Sequence, residues 1–226
     1  MTPHRVALYW APERDDPLHA LGSRWLGRDA QSGEALDQPV LSGLDIAEIT
    51  ADARGYALHA TLKPPFRIAT DYSAVCADAT ALAARTSPFA LPSLSVQDLH
   101  GFLALRETTP CPALHAFADA CVAALDAHRA PPTEVEIARR RPDRLTPTQR
   151  DMLARWGYQY VFAEWQFHVT LTRRLSAEER AVVQPAVTAF LGEAAGRPRR
   201  VTELCLFIQP APGAPFKIAE RLPLRG

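Results

Sequence analysis

The sequence predicts an α+β protein in which two lobes, each with a small and mostly antiparallel sheet, face each other across a cleft. Strand-like and helix-like stretches do not alternate strictly enough for a doubly wound parallel sheet. A His-x-Thr-Leu motif occurs once in each half of the chain. No low-complexity linker separates the halves, so we treat residues 1–226 as a single domain.

The first half reads, in order, as strand, helix, loop, short helix, motif strand, helix, and one or two further strands. Apolar spacing and turn residues delimit them, and they cover residues 6–10, 18–26, 29–43, 45–53, 56–63, 73–85 and 94–106. We expect Pro64 and Pro65 to end the motif strand, because proline lacks the N–H that a strand interior needs.

The second half begins with a helical pattern over residues 112–128. Thr133, Thr146 and Ser176 each stand three residues before Glu or Gln, the spacing of a capping box, and so predict three helix starts. The helix from Thr146 should end at Gly157. Residues 158–172 read as β-rich with the second motif, and 200–209 and 216–222 as the last strands, paired through a proline-glycine turn.

Composition limits the classes of function. The 226 residues carry 25 basic and 25 acidic side chains, so the formal net charge is zero. We therefore do not expect long-range electrostatic attraction to nucleic acid or an anionic membrane to drive its function. The N-terminal apolar run is too short for a signal peptide, and no run approaches the ~18 apolar residues of a membrane span. We therefore expect a cytoplasmic protein. The four cysteines show no zinc-ligand spacing and suggest small buried residues in a reducing compartment.

The two motifs carry the chemistry. Strand side chains alternate between two faces, so His59 and Thr61 should share one face, as should His168 and Thr170. Two such strands facing each other would bring two proton carriers and two hydroxyl donors together in one pocket. A pocket with this set of groups is suited to binding and cleaving a phosphate ester. The alternative is two buried His–Thr pairs that merely satisfy each other in a core.

These motifs resemble those of the two-histidine (2H) phosphoesterase superfamily, and four longer stretches resemble a bacterial branch of it associated with phosphonate metabolism and otherwise of unknown function. Those stretches are residues 21–29, 56–66, 101–105 and 155–161. Gln159 departs from the proline that the branch leads us to expect. The resemblance implies a pseudo-symmetric bilobal fold and metal-independent hydrolysis or transfer at a phosphodiester, often a cyclic one. The link to phosphonate breakdown suggests a ribose cyclic phosphate.

Histidine titrates near neutral pH, so one residue type can serve as general base or general acid. We assign His59 and His168 to these two tasks without deciding which takes which. Thr61 and Thr170 would donate hydrogen bonds to the non-bridging phosphate oxygens. Lys63 would add positive charge if the strand persists that far, and is otherwise a solvated strand end. No cofactor and no metal are expected.

For three further features the sequence leaves two or more interpretations open. Tyr158 and Tyr160 would stack on a base or ribose or bind phosphate, or else are core aromatics. The basic cluster of residues 139–141 with Arg144 is a solvated helix end or a clamp on a second phosphate. For the protein as a whole, three functions are open. It is a hydrolase of a small cyclic phosphodiester, an enzyme that acts on cyclic nucleotides or cyclic RNA termini, or a module that binds a phosphorylated ligand without turnover. The sequence leaves its oligomeric state open.

Overall fold

Nine strands and nine α-helices make up the described part of the computed structural model, residues 2–226. The strands are β1 (Arg5–Trp10), β2 (Ala60–Phe66), β3 (Phe89–Leu91), β4 (Leu94–Leu99), β5 (Phe102–Glu107), β6 (Val169–Arg174), β7 (Arg199–Val201), β8 (Glu203–Gln209) and β9 (Lys217–Pro223). The helices are α1 (Pro17–Leu26), α2 (Ile46–Ile49), α3 (Ala51–Tyr56), α4 (Tyr72–Ala84), α5 (Pro112–Ala124), α6 (Glu134–Arg139), α7 (Pro147–Trp156), α8 (Ala177–Leu191) and α9 (Glu193–Gly196).

Seven of the strands form one antiparallel sheet in the order β4-β5-β6-β2-β1-β8-β9, and β3 pairs with β7 in a small second sheet. The large sheet consists of two halves, which meet where β2 pairs with β6. That junction has a single registered pair, Ala60 with Val169. The predicted α+β class with antiparallel sheets is therefore confirmed, and the two predicted lobes correspond to two halves of one continuous sheet.

Side-chain alternation along β1 separates the two faces of the sheet. Val6, Leu8 and Trp10 belong to the main core, which the helices cover. Tyr9 belongs to a second, smaller cluster on the opposite face, together with Phe207 of β8 and residues near them. The second face is the one that carries the histidines. All four cysteines are free thiols, and Cys111, Cys121 and Cys205 are buried.

Local sequence chemistry sets most helix starts. Complete capping boxes begin α6 at Thr133, α7 at Thr146 and α8 at Ser176, each satisfying backbone N–H groups that a helix start leaves unpaired. Gly157 ends α7 in the left-handed conformation, with φ of 72°. These predicted boundaries are confirmed.

Pro64 and Pro65 do not end the first motif strand, so that prediction is wrong. β2 runs through both prolines to Phe66, and its pairing with β1 shifts register twice along the way. Beyond Ala60 the other edge of β2 has no registered partner among the described residues. Prolines are tolerated at such bulged edge positions, because their missing N–H is not needed for a ladder hydrogen bond.

Residues 158–168 are not a strand either, contrary to the prediction. They form an irregular segment with a short 3₁₀ turn at residues 162–164, and β6 begins only at Val169. The Trp165 indole N–H donates to the Thr61 carbonyl at 2.8 Å, which ties this segment to β2 across the junction of the two half-sheets.

None of the helices in residues 2–226 is both long and apolar enough to cross a membrane.

Candidate functional site

The two His-x-Thr motifs lie at the beginning of the neighbouring strands β2 and β6, with each histidine one residue before its strand. In the first, Ala60 and Leu62 are fully buried while His59 and Thr61 are half-buried on the other face. Val169 and Leu171 are buried in the same way, and His168 and Thr170 are half-buried. The predicted alternation thus places each histidine beside its own threonine.

Register brings the two motifs together. Ala60 is paired with Val169 in antiparallel orientation. His59 directly precedes the paired Ala60 and His168 directly precedes the paired Val169, so both imidazoles lie at the junction. They are close enough for His168 to lower the pKa of His59.

Each imidazole is oriented by a backbone carbonyl two residues before it. His59 Nδ1 donates to the Ala57 carbonyl at 2.9 Å, and His168 Nδ1 donates to the Gln166 carbonyl at 2.9 Å. A carbonyl oxygen only accepts, so Nδ1 carries the proton in both rings. In the neutral state Nε2 is therefore the free base in both rings, and it becomes an acid once it is protonated.

Ala57 adopts an unusual conformation to provide its carbonyl. Its φ of 64° with ψ of −172° lies in a region that only glycine enters readily. For a residue with a Cβ this costs about 1–3 kcal/mol. The strained residue lies two positions before His59 and supplies the acceptor that fixes the His59 tautomer.

The environment of His59 is aromatic. Its ring stacks on Tyr9, with ring centroids 3.9 Å apart, and Tyr56 is 6.0 Å away on centroids. Burial lowers the pKa of His59 to about 4, the hydrogen bond to Ala57 opposes this, and the nearby His168 lowers it further. Without a bound anion, His59 is neutral at pH 7.

His168 has an arginine for a neighbour. In the β5–β6 pair, Ala104 faces Thr170 and Leu105 faces Val169, so the next position sets Arg106 opposite His168. Burial lowers the pKa of His168, its hydrogen bond to the Gln166 carbonyl raises it, and the positive charge of Arg106 lowers it. Arg106 therefore supplies positive charge on the histidine face of the sheet.

Thr61 lies between several of these groups. Its hydroxyl is 3.4 Å from His59 Nε2, a long hydrogen bond that a ligand can replace. The Tyr9 hydroxyl is fully buried and makes no hydrogen bond of ordinary geometry within residues 2–226. Burial, the largest cause, raises its pKa well above the usual value, and the nearby Tyr56 and Tyr158 add to this, whereas Arg5 and the neighbouring Thr61 hydroxyl oppose it.

A cavity of about 340 Å³ opens beside the motifs. It is lined by four of the predicted site residues, Thr61, Tyr158, Tyr160 and His168, together with Phe102, Trp165 and others. The two tyrosines pack edge to face at 5.8 Å, and Tyr160 is 45% exposed at the rim. Burial raises the pKa of Tyr158. The structure thus brings both tyrosines to His168.

Lys63 is not brought to the histidines. Tyr9 pairs with Thr61 but Leu8 pairs with Lys63, so a bulge at Leu62 turns Lys63 to the core face of the sheet. There it is 1% exposed and donates to the Val122 carbonyl at 2.8 Å and to Asp126 at 3.3 Å. Burial lowers its pKa to about 8, which the Asp126 carboxylate opposes. Lys63 joins β2 to the end of α5.

Three residues that the sequence interpretation passed over belong to this site. Tyr9 stacks on His59, Arg106 faces His168, and Trp165 ties the segment before β6 to Thr61. The alternation of β1 provided a signal for Tyr9, which falls between the core residues Leu8 and Trp10. Arg106 and Trp165 depend on contacts between distant segments, and neither has a local signal in the sequence.

Among residues 2–226 no group of three His, Cys, Asp or Glu side chains is arranged to hold a metal ion.

Comparison with known proteins identifies the family. The model of a family described as "Protein of unknown function (DUF1045)" matches residues 61–217, more than half of the chain. The chain belongs to the DUF1045 family. The predicted resemblance to a bacterial branch of unknown function is thereby confirmed.

Two curated relatives are named "Ribose 1,5-bisphosphate phosphokinase PhnN". The protein from Janthinobacterium sp. (strain Marseille) is 36% identical over 231 residues, covering 98% of this chain and 51% of that protein. The protein from Laribacter hongkongensis (strain HLHK9) is 35% identical over 222 residues, covering 95% of this chain and 50% of that protein. The DUF1045 chain thus spans about half the length of the curated relatives it matches.

Solved structures with similarity over the whole chain include E. coli LigT complexed with 3′-AMP, with a TM-score of 0.48, 15% identity and 99% coverage of both chains. TT0787 of Thermus thermophilus has a TM-score of 0.49, 14% identity and 98% coverage of both chains.

Proposed function

We propose that this DUF1045 protein is a metal-independent phosphodiesterase that opens a small cyclic phosphodiester, with phosphoribosyl 1,2-cyclic phosphate as the preferred substrate. The observation that carries the proposal is the pair of His-x-Thr motifs on adjacent antiparallel strands. In each, a backbone carbonyl holds Nδ1, which leaves Nε2 available for proton transfer. Binding alone would need no such pair of proton carriers.

In the reaction, Nε2 of one neutral histidine accepts a proton from water as the water oxygen attacks phosphorus. Nε2 of the other, protonated, histidine donates to the departing ring oxygen, whose bond to phosphorus breaks. General acid and base catalysis by positioned side chains typically contributes about 10²–10⁴-fold each. Thr61 and Thr170 donate to the non-bridging oxygens, and Arg106 supplies the positive charge that Lys63 does not.

The lowered histidine pKa values fit this scheme once an anion is bound. Both imidazoles are neutral in the free protein because burial disfavours their charged forms. A phosphodiester anion placed between them favours protonation of the nearer ring. The substrate thus generates the acid, while the second histidine stays neutral as the base.

The names of the curated relatives favour the ribose substrate. Hydrolysis of phosphoribosyl 1,2-cyclic phosphate at the bond between phosphorus and O2 gives ribose 1,5-bisphosphate. That is the compound which the relatives' names give as the substrate of their kinase. The DUF1045 chain is about half their length, and its lysines, Lys63 and Lys217, do not follow glycine as the phosphate-binding lysine of a P-loop does. A hydrolase that supplies the kinase substrate is consistent with both facts.

A cyclic nucleotide is the second candidate, because the exposed Tyr160 at the cavity rim offers a stacking surface for a base. The test is a panel of phosphoribosyl 1,2-cyclic phosphate, 2′,3′-cyclic nucleotides and RNA with a cyclic end. We expect the highest kcat/KM with the ribose compound. Higher turnover of the nucleotides would establish the second candidate instead.

Matched variants test the mechanism on the same panel. His59→Ala and His168→Ala should each lower kcat/KM by at least about 10²-fold while circular dichroism remains unchanged. His19→Ala, which replaces a histidine of α1 that lines neither of the two cavities, serves as the control. Full activity in either motif variant would refute the acid–base assignment, and strong inhibition by a chelator would refute metal independence. Ligand binding without any turnover would favour the non-catalytic module.

A further inference from the structure

A second cavity, of about 420 Å³, lies next to the histidine site and is rich in arginine. Its lining includes Arg5, Arg67, Arg129, Arg139 and Arg140, and the carboxylate among its lining residues is that of Glu136. We call it the arginine pocket. The guanidinium groups come from β1, from α6 and its end, and from two loops, so the fold rather than one charged segment assembles them.

Two of these arginines are neutralised within the protein. Arg67 pairs with Glu136 at 3.1 Å, and Arg129 pairs with Asp126 at 2.8 Å. The negative charge of Glu136 is thus already paired with Arg67, and its carboxylate also caps α6. The pocket therefore owes its net charge to its other arginines.

Arg5, Arg139 and Arg140 take part in no ion pair within residues 2–226. Arg5 is held in place by its Nε, which donates to Gln209 Oε1 at 2.7 Å. Its terminal nitrogens keep their donors for a ligand. The pocket thus presents three positive charges without a counter-ion from the described chain.

The arginine pocket adjoins the histidine site along two contacts. Tyr56 lines the pocket, and its ring centroid is 6.0 Å from that of His59. Arg140 also lines the pocket and lies 4.7 Å over the ring of Tyr158, which lines the cavity of His168. Each of these contacts runs through a single tyrosine ring, so the arginine pocket and the histidine site are neighbours.

We infer that the arginine pocket binds a second phosphate of the substrate, a terminal monoester, while the cyclic phosphodiester lies between the histidines. A phosphate monoester carries a charge of about −1.5 to −2 at pH 7, and arginine forks match its oxygens in geometry and charge. The substrate class is then a phosphorylated sugar that also bears the cyclic diester. Its place in the reaction rests on the proposed function, whereas the binding site itself does not.

Binding to a catalytically silent protein tests the site alone. In a His59→Ala, His168→Ala background, calorimetry should detect ribose 5-phosphate but not ribose. Arg139→Gln and Arg5→Gln should each weaken binding by roughly tenfold to a hundredfold, the usual effect of losing hydrogen bonds to a charged group. Arg144→Gln, an exposed arginine nearby in the chain and outside the pocket lining, is the matched control and should change binding less than twofold.

Because Arg139 is exposed, its replacement should leave the fold intact. The Arg139→Gln variant therefore decides the test even if Arg5→Gln is unstable. Failure of ribose 5-phosphate to bind would overturn the inference. Equal losses of affinity in Arg139→Gln and Arg144→Gln would also overturn it, because they would show that the loss comes from the lower overall positive charge of the protein and not from the pocket.

Kinetics separate this inference from the proposed function. The ratio of kcat/KM for cyclic substrates with and without the terminal phosphate should fall at least tenfold in Arg139→Gln and stay constant in Arg144→Gln. An unchanged ratio in Arg139→Gln would remove the pocket from substrate recognition. If no cyclic phosphate is hydrolysed at all, the proposed function fails, and the calorimetry still decides whether the pocket binds a phosphate monoester.

Discussion

Replacing His59 with glutamine should remove the part of the acid sensitivity of folding that comes from burying this imidazole. The folded-state pKa of about 4 lies below the ordinary value of 6.5, which the unfolded chain adopts. Between these values the unfolded state binds more protons than the folded state. The free energy of unfolding therefore rises with pH in this window, and the contribution is lost as pH falls.

The size of the effect follows from the two pKa values. At a pH low enough for the whole difference between the folded and unfolded pKa values of His59 to act, the unfolding free energy falls by about 3 kcal/mol. At pH 5 the loss relative to pH 7.5 is about 2 kcal/mol. Burial is the main cause of the lowered pKa of His59, so the loss should disappear when the imidazole is replaced by a side chain that does not titrate.

Urea unfolding at pH 7.5 and pH 5 measures this directly for the wild type, His59→Gln and the control His100→Gln. The pH-dependent loss should be smaller by about 2 kcal/mol in His59→Gln than in the other two proteins. His100→Gln controls for the loss of an imidazole at an exposed position. The same dependence in all three proteins would refute the desolvation of His59, and with it the neutral ground state that the base requires.

Three further predictions follow from the site. Lys63→Met should lower the free energy of unfolding by about 2 kcal/mol, because the buried Val122 carbonyl and the Asp126 carboxylate both lose this donor. It should change kcat/KM less than threefold, and a large kinetic loss would return Lys63 to the site. Arg106→Gln should raise the pKa of His168, measured by NMR titration, because a positive neighbour is removed, and an unchanged or lower value would contradict the register. Ala57→Gly should stabilise the fold by about 1 kcal/mol in thermal unfolding, because glycine relieves the strained backbone; destabilisation would show that the conformation is unstrained.

Local patterns in the sequence anticipated much of the fold. The alternation in each His-x-Thr motif placed its histidine and threonine on one face, because a strand imposes that period whatever its partners. The capping boxes at Thr133, Thr146 and Ser176 located three helix starts, since the hydrogen bonds that fix them join residues only three positions apart.

The misplaced features depend on distant partners. The face of Lys63 is set by a bulge that exists only in the pairing of β2 with β1. The segment before β6 is irregular, and the indole of Trp165 bonds to Thr61, more than a hundred residues earlier. Arg106 reaches His168 through the β5–β6 register. Such contacts have no local pattern in the chain, so the residues that tune the histidines could not be found from the motifs alone.

The junction of the half-sheets has a consequence for the spacing of the two motifs. Ala60 with Val169 is the single registered pair there, so a row of backbone hydrogen bonds does not set the distance between the motifs. The Trp165 indole, which donates to the Thr61 carbonyl, is a further link between the segment before β6 and β2. The distance between the two imidazoles therefore depends on an aromatic side chain that belongs to neither motif.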